Sequence, residues 1–315
     1  MRVTDPGPAR QVALAVDIGG TKADAALVTA DGTIVAGSAS RRRTGPESTA
    51  ASLATAVRSV AAEALAARRP EDELVGIGIG SAGPVDRASG TVSPLNMTAA
   101  AGFDPAAAVR DLVPGPLVRV ALDGACIALA EHRWGGARGA TTALALVVST
   151  GVGGGFIVNG MPVSGRTGNA GHIGQLRVRA RDADDPLAGT VESLASGPNT
   201  VAWARRHGWT GTTGEELAVS YAAGDAVARA AVGRSATAVG EAIAAAATLL
   251  DLEVAVVGGG FADVASDYID QVRASVEEAA PLPFARAVRV TGSGLHGDGP
   301  LLGAAALVLG ADSQR

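Results

Sequence analysis

The sequence predicts an α/β protein made of two lobes of similar plan, and three observations carry that prediction. Its 315 residues exceed what one hydrophobic core usually serves. Short β-branched runs ending in glycine alternate with longer stretches of helical periodicity. One pattern (strand, glycine turn, strand, two-residue turn, strand) is read twice along the chain, from residue 12 and again from residue 142.

The first copy opens with residues 12–17, an apolar strand that enters the turn Ile18-Gly-Gly-Thr-Lys22 and leaves it as a second strand through residues 25–28. Asp31-Gly32 is a two-residue hairpin signal, which makes 33–36 the third strand of an antiparallel meander. A helix is expected over about residues 47–69, where Leu53, Val57, Val60 and Leu65 recur near helical spacing. Residues 74–80 then read as a buried strand meeting the turn Ser81-Ala-Gly-Pro-Val-Asp86.

The second copy follows a boundary near residues 110–122. Residues 118–122 form a strand ending at Asp123, which stands as the N-cap of a helix to about Trp134. Residues 142–148 enter the glycine turn Ser149-Thr-Gly-Val-Gly-Gly-Gly155; a strand at 156–158, the Asn159-Gly160 turn and a third short strand come next. Ser235 is read as the cap of a helix to Leu250, followed by a strand at 253–257 ending in Gly258-Gly-Gly260. A strand at 287–290 and a helix over 301–309 close the chain.

Composition removes several functions. Apolar residues at 47% and charged residues at 18% exclude disorder, and no apolar run approaches the roughly 20 residues of a membrane span. The first eleven residues hold no secretory signal, so the cytoplasm is the expected compartment. A single cysteine, Cys126, excludes an intramolecular disulfide and a thiolate zinc cluster. The net charge of −5 argues against a nucleic acid partner, while a small anion held by backbone amides remains allowed.

Three glycine clusters carry chemistry. In Asp17-Ile-Gly-Gly-Thr-Lys22, Gly19 and Gly20 bare backbone N–H groups, Thr21 adds a hydroxyl and Lys22 a positive charge, all suited to phosphate oxygens. Asp17, at the strand tip, can hold Mg²⁺ directly or through its waters. Ser149, Thr150, Gly151 and Gly153 form the matching turn of the second copy. Each turn alone also reads as an ordinary hairpin; the pair, in duplicated halves, points to a nucleotide. Gly258, Gly259 and Gly260 leave a strand end without side chains where an adenine ring can lie, or where a helix can pack.

These motifs, in this order and over nearly the whole chain, resemble the sugar kinases of the ROK family, within the actin and hexokinase ATPase superfamily. The closing Gly292-Ser-Gly-Leu-His-Gly-Asp-Gly-Pro-Leu-Leu-Gly-Ala-Ala305 is similar to that family's C-terminal signature. The resemblance implies two duplicated actin-like (ribonuclease H-like) lobes with mixed sheets flanked by helices, and ATP with Mg²⁺ in the cleft between them. It implies lobes at 1–120 and 121–298, with the last helix, 299–312, back on the first, and it favours a homodimer. Asp123, in Val-Ala-Leu-Asp-Gly-Ala, matches the family's general base, a role compatible with capping. Gly83, Asn96 and Glu192 match the sugar side. Transfer to a primary hydroxyl, O6, follows from the same resemblance.

The match breaks at Ala170-Gly-His172-Ile-Gly-Gln175, where the family commonly has Glu and His, and where its zinc-binding cysteines are missing from 177–191. No zinc is therefore expected, and the stretch 181–186 reads as a solvated loop in its place. His172 and Gln175 offer donors and acceptors without fixed charge, so the pocket is open to glucose, mannose, glucosamine, an N-acetylated hexosamine or kanosamine; His172 also reads as a buried structural histidine. Polyphosphate remains an alternative donor. A sugar-sensing regulator of the same family is the competing reading. Such regulators carry a DNA-binding module ahead of the first motif, and 16 residues precede Asp17. An inactive relative is the third; Asp17, Thr21 and Asp123 argue against it.

Overall fold

The computed structural model describes residues 9–179, 187–295 and 297–310. Packing divides them into two units, one made of the described residues up to Ala130, Ser164–Asn169 and those from Asp298 on, the other of Glu131–Val163 and Ala170–Gly297. The expected boundary at residue 120 thus differs from the division by packing, which falls inside a helix.

In the first unit the strands are β1 (Arg10–Ile18), β2 (Lys22–Thr29), β3 (Ser40–Arg43), β4 (Asp72–Ser81), a small hairpin β5 (Val85–Asp86) and β6 (Thr91–Val92), and β7 (Val118–Leu122). The main sheet has the order β3-β2-β1-β4-β7, antiparallel through β1 and parallel beyond it. Residues 12–16 of β1 are fully buried, as a strand covered on both faces requires. Helix α1 (Ala50–Ala66) starts at a capping box between Thr49 and Ser52 and lays Leu53, Val57 and Val60 into the core.

The third strand of the meander is not where the hairpin signal put it. Ile34 makes one bridge to Val28, and the chain then turns at Gly37, whose φ is +78°. Buried Ser38 accepts from Leu27 N–H at 3.0 Å and donates to Val35 O, so pairing resumes only at Ser40.

Alternate glycines of β4 have a packing role. A Cβ at Gly78 would stand 1.8 Å from Ala304 O, in the closing helix Gly299–Ala306, and one at Gly76 would lie 3.1 Å from Val308 Cβ. Gly303 presses as closely on the backbone of Cys126, in α2 (Asp123–Trp134). The expected helix at 301–309 therefore begins two residues earlier and gives way to turn after Ala306.

The second unit repeats the plan with β8 (Ala143–Val148), β9 (Val152–Val158) and β10 (Met161–Pro162); β11 (Val254–Gly258) and β12 (Arg289–Gly292) complete the order β10-β9-β8-β11-β12. Asn159 and Gly160 both have positive φ, as the hairpin signal demands. Gly153, Gly154 and Gly155 belong to the β9 ladder, so the turn proper is only Ser149–Gly151. Between β10 and β11 lie α3 (Val191–Ala195), α4 (Gly197–Arg206), α5 (Gly214–Ala222) and α6 (Ala226–Leu250). Helix α6 is capped by Asp225, ten residues before the cap expected at Ser235. Ser235 is an interior, fully buried residue whose hydroxyl donates to Ala195 O and pairs with Tyr268 Oη at 2.8 Å. The expected loop at 181–186 lies outside the described residues. Among the described residues no helix is long and apolar enough to cross a membrane.

Candidate functional site

The first unit gathers carboxylates at the C-terminal end of β1. Asp17, 8% exposed, faces Asp24 across β2 and Gly80 across β4. A methyl at position 80 would meet Cys126 Sγ at 3.1 Å and Asp17 Oδ1 at 3.6 Å, so the glycine lets the strand end and α2 share this space. Burial pushes the Asp17 carboxyl up to about 7, with the charges of Asp123 and Asp24 adding to the rise against Lys22 and Arg41. Asp123 is the first residue of α2 and stays partly exposed; it accepts the Gly124 N–H at 2.7 Å. Burial raises it to about 6, that hydrogen bond opposing. The Cys126 thiol is raised by burial and by both carboxylates, and stays protonated.

Asp24 is the neutralised member of the group. Arg41 grips it with two hydrogen bonds, 2.6 and 2.8 Å, and Lys22 Nζ stands 3.0 Å away. Burial would raise the Asp24 carboxyl, but the bonds from Arg41 and Lys22 outweigh it and hold it below the usual range. Lys22, read from the sequence as a phosphate-facing cation, is thus an ion-pair partner here.

The glycine turn is tied on two sides. Gly19 N–H donates to Lys22 O at 2.9 Å, while Thr44 donates its hydroxyl to Gly19 O and its N–H to Thr21 O. Asn96 lies against Gly20 so closely that a Cβ there would fall 1.6 Å from its Nδ2. Leu95 N–H donates to Gly83 O at 3.2 Å, which hangs the Asn96 loop on the Gly83–Pro84 turn, a cis peptide. Thr21, Gly20, Asn96 and Gly83 are therefore brought together. Thr44 and Arg41 gave no signal in the sequence, because strand pairing alone delivers them.

The second unit builds a different set. Ser149 N–H closes its turn on Gly151 O at 2.9 Å, and Gly197 N–H, at the start of α4, donates to Ser149 O at 2.8 Å. Glu192 Oε2 accepts the Val152 N–H at 2.9 Å, and its Oε1 receives Gln175 Nε2 at 3.3 Å. The segment carrying His172 and Gln175 rests on β9 through two glycines. A Cβ at Gly171, where φ is +104°, would be 2.4 Å from Gly154 O, and one at Gly174 would be 2.0 Å from Val152 O. Burial pushes His172 down, Glu192 opposing, so the imidazole is mainly neutral at pH 7.

Beside this turn is a cavity of about 710 Å³ lined by Ser149, Thr150, Gly197, Gly214, Gly260 and Phe261 among others, a size suited to a nucleotide-sized ligand. Gly259 has φ +98° and backs onto Val148 O, whereas Gly260 looks into open space. Gly258 packs on Ser293, away from the cavity lining. The starts of α4 and α5 were not legible as part of this wall; Gly197-Pro198 and the Thr213–Glu216 capping box are their only local signals.

Among the described residues no group of three or more His, Cys, Asp or Glu side chains can hold a metal ion unaided. Asp17, buried beside two further carboxylates, could serve only as a single anchor for a cation such as Mg²⁺ whose shell phosphates and water complete.

Comparison with known proteins gives a consistent answer. The ROK family pattern matches residues 13–311. An N-acetylmannosamine kinase of Yersinia pseudotuberculosis (serotype O:1b, strain IP 31758) is 33% identical over 301 residues, covering 93% of this chain and 96% of that protein. The ROK hexokinase of Thermus thermophilus superposes with a TM-score of 0.80 at 28% identity, over 94% of this chain and 97% of that one. A ROK glucokinase of Streptomyces griseus, solved with glucose and AMPPNP, gives TM-score 0.80 and 28% identity over 94% and 99%.

Proposed function

The chain belongs to the ROK family, and from that premise we propose that this sugar kinase moves the γ-phosphoryl group of ATP to O6 of a hexose or amino sugar, with Asp123 as general base. The supporting observation is the pair of carboxylates formed by buried Asp17 at the end of β1 and Asp123 at the start of α2. One, Asp123, is partly exposed and raised to about 6, so it is ionised at neutral pH yet basic enough to take a hydroxyl proton.

In this reading the Gly124 N–H holds one Asp123 oxygen and leaves the carboxylate oriented toward the sugar hydroxyl. Withdrawal of that proton as the oxygen attacks is worth about 10²–10⁴-fold in rate. Bound ATP with its magnesium ion supplies the phosphoryl group and screens its charge. Asp17 would hold the magnesium, directly or through water. Gly19, Gly20 and Thr21 in the first unit, and Ser149, Thr150, Gly151 and Gly153 in the second, are the phosphate-contacting groups; of the third glycine cluster Gly260 edges the nucleoside position, while Gly258 and Gly259 pack behind it. Lys22 stays with Asp24 and tempers the negative field on Asp17.

Gly83 and Asn96 in the first unit, and His172, Gln175 and Glu192 in the second, are the residues this reading assigns to the sugar. A half-buried, mainly neutral His172 suits an N-acyl or hydroxyl group better than an ammonium, and the Yersinia relative is named for an N-acylated hexosamine. N-acetylmannosamine therefore heads the substrate class, and the cytoplasm, where ATP is maintained, is the compartment. No zinc is required: residues 177–191 hold no cysteine to bind it.

Asp123→Ala tests the assignment. AMPPNP binding is expected to persist while turnover falls by about 10²–10⁴-fold; unchanged turnover would remove Asp123 from the base role. An ADP-release assay across hexoses, aminohexoses and N-acetylhexosamines tests the substrate class, and preference for a free aminohexose would count against the N-acyl reading.

A further inference from the structure

We propose that Glu192 is a positioning residue for the nucleotide turn Ser149–Gly151, in addition to the sugar-side place assigned to it above; the inference rests on the reading of that turn as a phosphate-contacting element.

The turn is held from three directions. Ser149 O receives Gly197 N–H at 2.8 Å, Val148 O receives Phe261 N–H at 3.0 Å, and Val152 N–H donates to Glu192 Oε2 at 2.9 Å. Two of these holds are backbone to backbone. The third comes from a side chain, and it carries a full negative charge into a hydrogen bond of the stronger, charge-assisted kind. The contact is close on its other side too, since a Cβ at Gly151 would stand 2.6 Å from the same oxygen. Residue 151 must be glycine for the carboxylate to sit there.

Glu192 is itself fixed. It lies in the first turn of α3, which Thr190 caps by accepting Ser193 N–H at 3.2 Å, and Val191 N–H donates to Leu176 O at 2.9 Å. Its carbonyl accepts from Asn199 Nδ2 at 3.0 Å. The second carboxylate oxygen takes Gln175 Nε2, from the segment that also carries His172. One carboxylate thus spans the sugar-side segment and the nucleotide turn. A carboxylate has about four acceptor directions, so a sugar hydroxyl can join without displacing Val152.

The experiment is AMPPNP binding by calorimetry with no sugar present, on the full chain. Glu192→Ala frees the turn, and AMPPNP affinity is expected to fall about 10-fold or more, the usual effect of losing a hydrogen bond to a charged group. Glu192→Gln keeps an acceptor for Val152 N–H and is expected to restore affinity to within about 3-fold of wild type. Glu192→Asp keeps the charge but draws the carboxylate one methylene back from Val152 N–H and is expected to reproduce the loss; it also decides the matter if Glu192→Ala does not fold. Wild-type affinity in Glu192→Ala or Glu192→Asp, with only the sugar KM raised, overturns the proposal. Failure of the wild-type chain to bind AMPPNP overturns instead the nucleotide reading on which it stands.

Discussion

Gly259 and Gly260 are neighbours with opposite surroundings, and exchanging each for alanine separates scaffold from ligand contact. At Gly259 a new Cβ would stand 2.4 Å from Val148 O and 2.7 Å from Val147 Cγ1, on a backbone with φ +98°. The left-handed backbone costs about 1–2 kcal/mol and the overlap about 1–3 kcal/mol more. At about 2–4 °C per kcal/mol, Gly259→Ala is expected to lower Tm by about 4–20 °C. At Gly260 an added Cβ meets nothing within 4 Å and the position lines the cavity. Stability should stay within about 0.5 kcal/mol of wild type. A methyl pushed into a close ligand contact is worth about 1–3 kcal/mol, so the KM for ATP should rise about 10–200-fold with the sugar KM unchanged. Scanning calorimetry and ADP release at varied ATP read the two effects. A wild-type ATP KM in Gly260→Ala would show that the nucleoside lies elsewhere.

The raised Asp17 carboxyl binds its proton more tightly in the folded chain than in the unfolded one, so it costs stability as pH rises from about 4 to about 7 and a constant amount above. Asp17→Asn should therefore raise Tm at pH 8, leave it nearly unchanged at pH 4, and abolish turnover; equal Tm at pH 8 would contradict the burial argument. With Asp123 near 6 as the base, kcat/KM should increase about tenfold per pH unit below about 6 and level off above it, and a flat profile from pH 5 to 8 would remove it from that role. A zinc chelator should leave Tm unaltered, and a clear fall would reveal zinc bound by donors other than cysteine clusters.

What could be read from the residues alone was whatever is encoded locally. The end of β8 at Val148, the Asn159-Gly160 hairpin and the body of α1 depend on neighbouring residues and stand where periodicity and turn chemistry put them, while β1 and β11 each run one residue past the expected end, to Ile18 and Gly258. The repeat of strand, glycine turn and strand was legible for the same reason, since each copy repeats its local signals, but the third strand of the first copy stands at Ser40–Arg43 rather than at 33–36. Long-range partners were not. Ser235 looks like a cap because serine usually is one, but Tyr268 and Ala195 claim its hydroxyl inside α6. Lys22 looks free until β2 pairs with β3 and Arg41 joins it on Asp24. The Asn96 contact with Gly20 and the Glu192 bond to Val152 each join residues far apart in the chain, which no window of sequence contains.

The glycines of β4 also set an order of assembly during synthesis. The helix that fills the bare face of β4, Gly299–Ala306, is made long after that strand; Arg119 waits for the Leu307 carbonyl 188 residues downstream. Translation at about 5–20 residues per second leaves that apolar strip uncovered for about ten seconds or more. A nascent chain stalled before residue 299 would hold the β4 sheet incomplete, so loss of the segment from Gly299 on should harm a sheet made long before it.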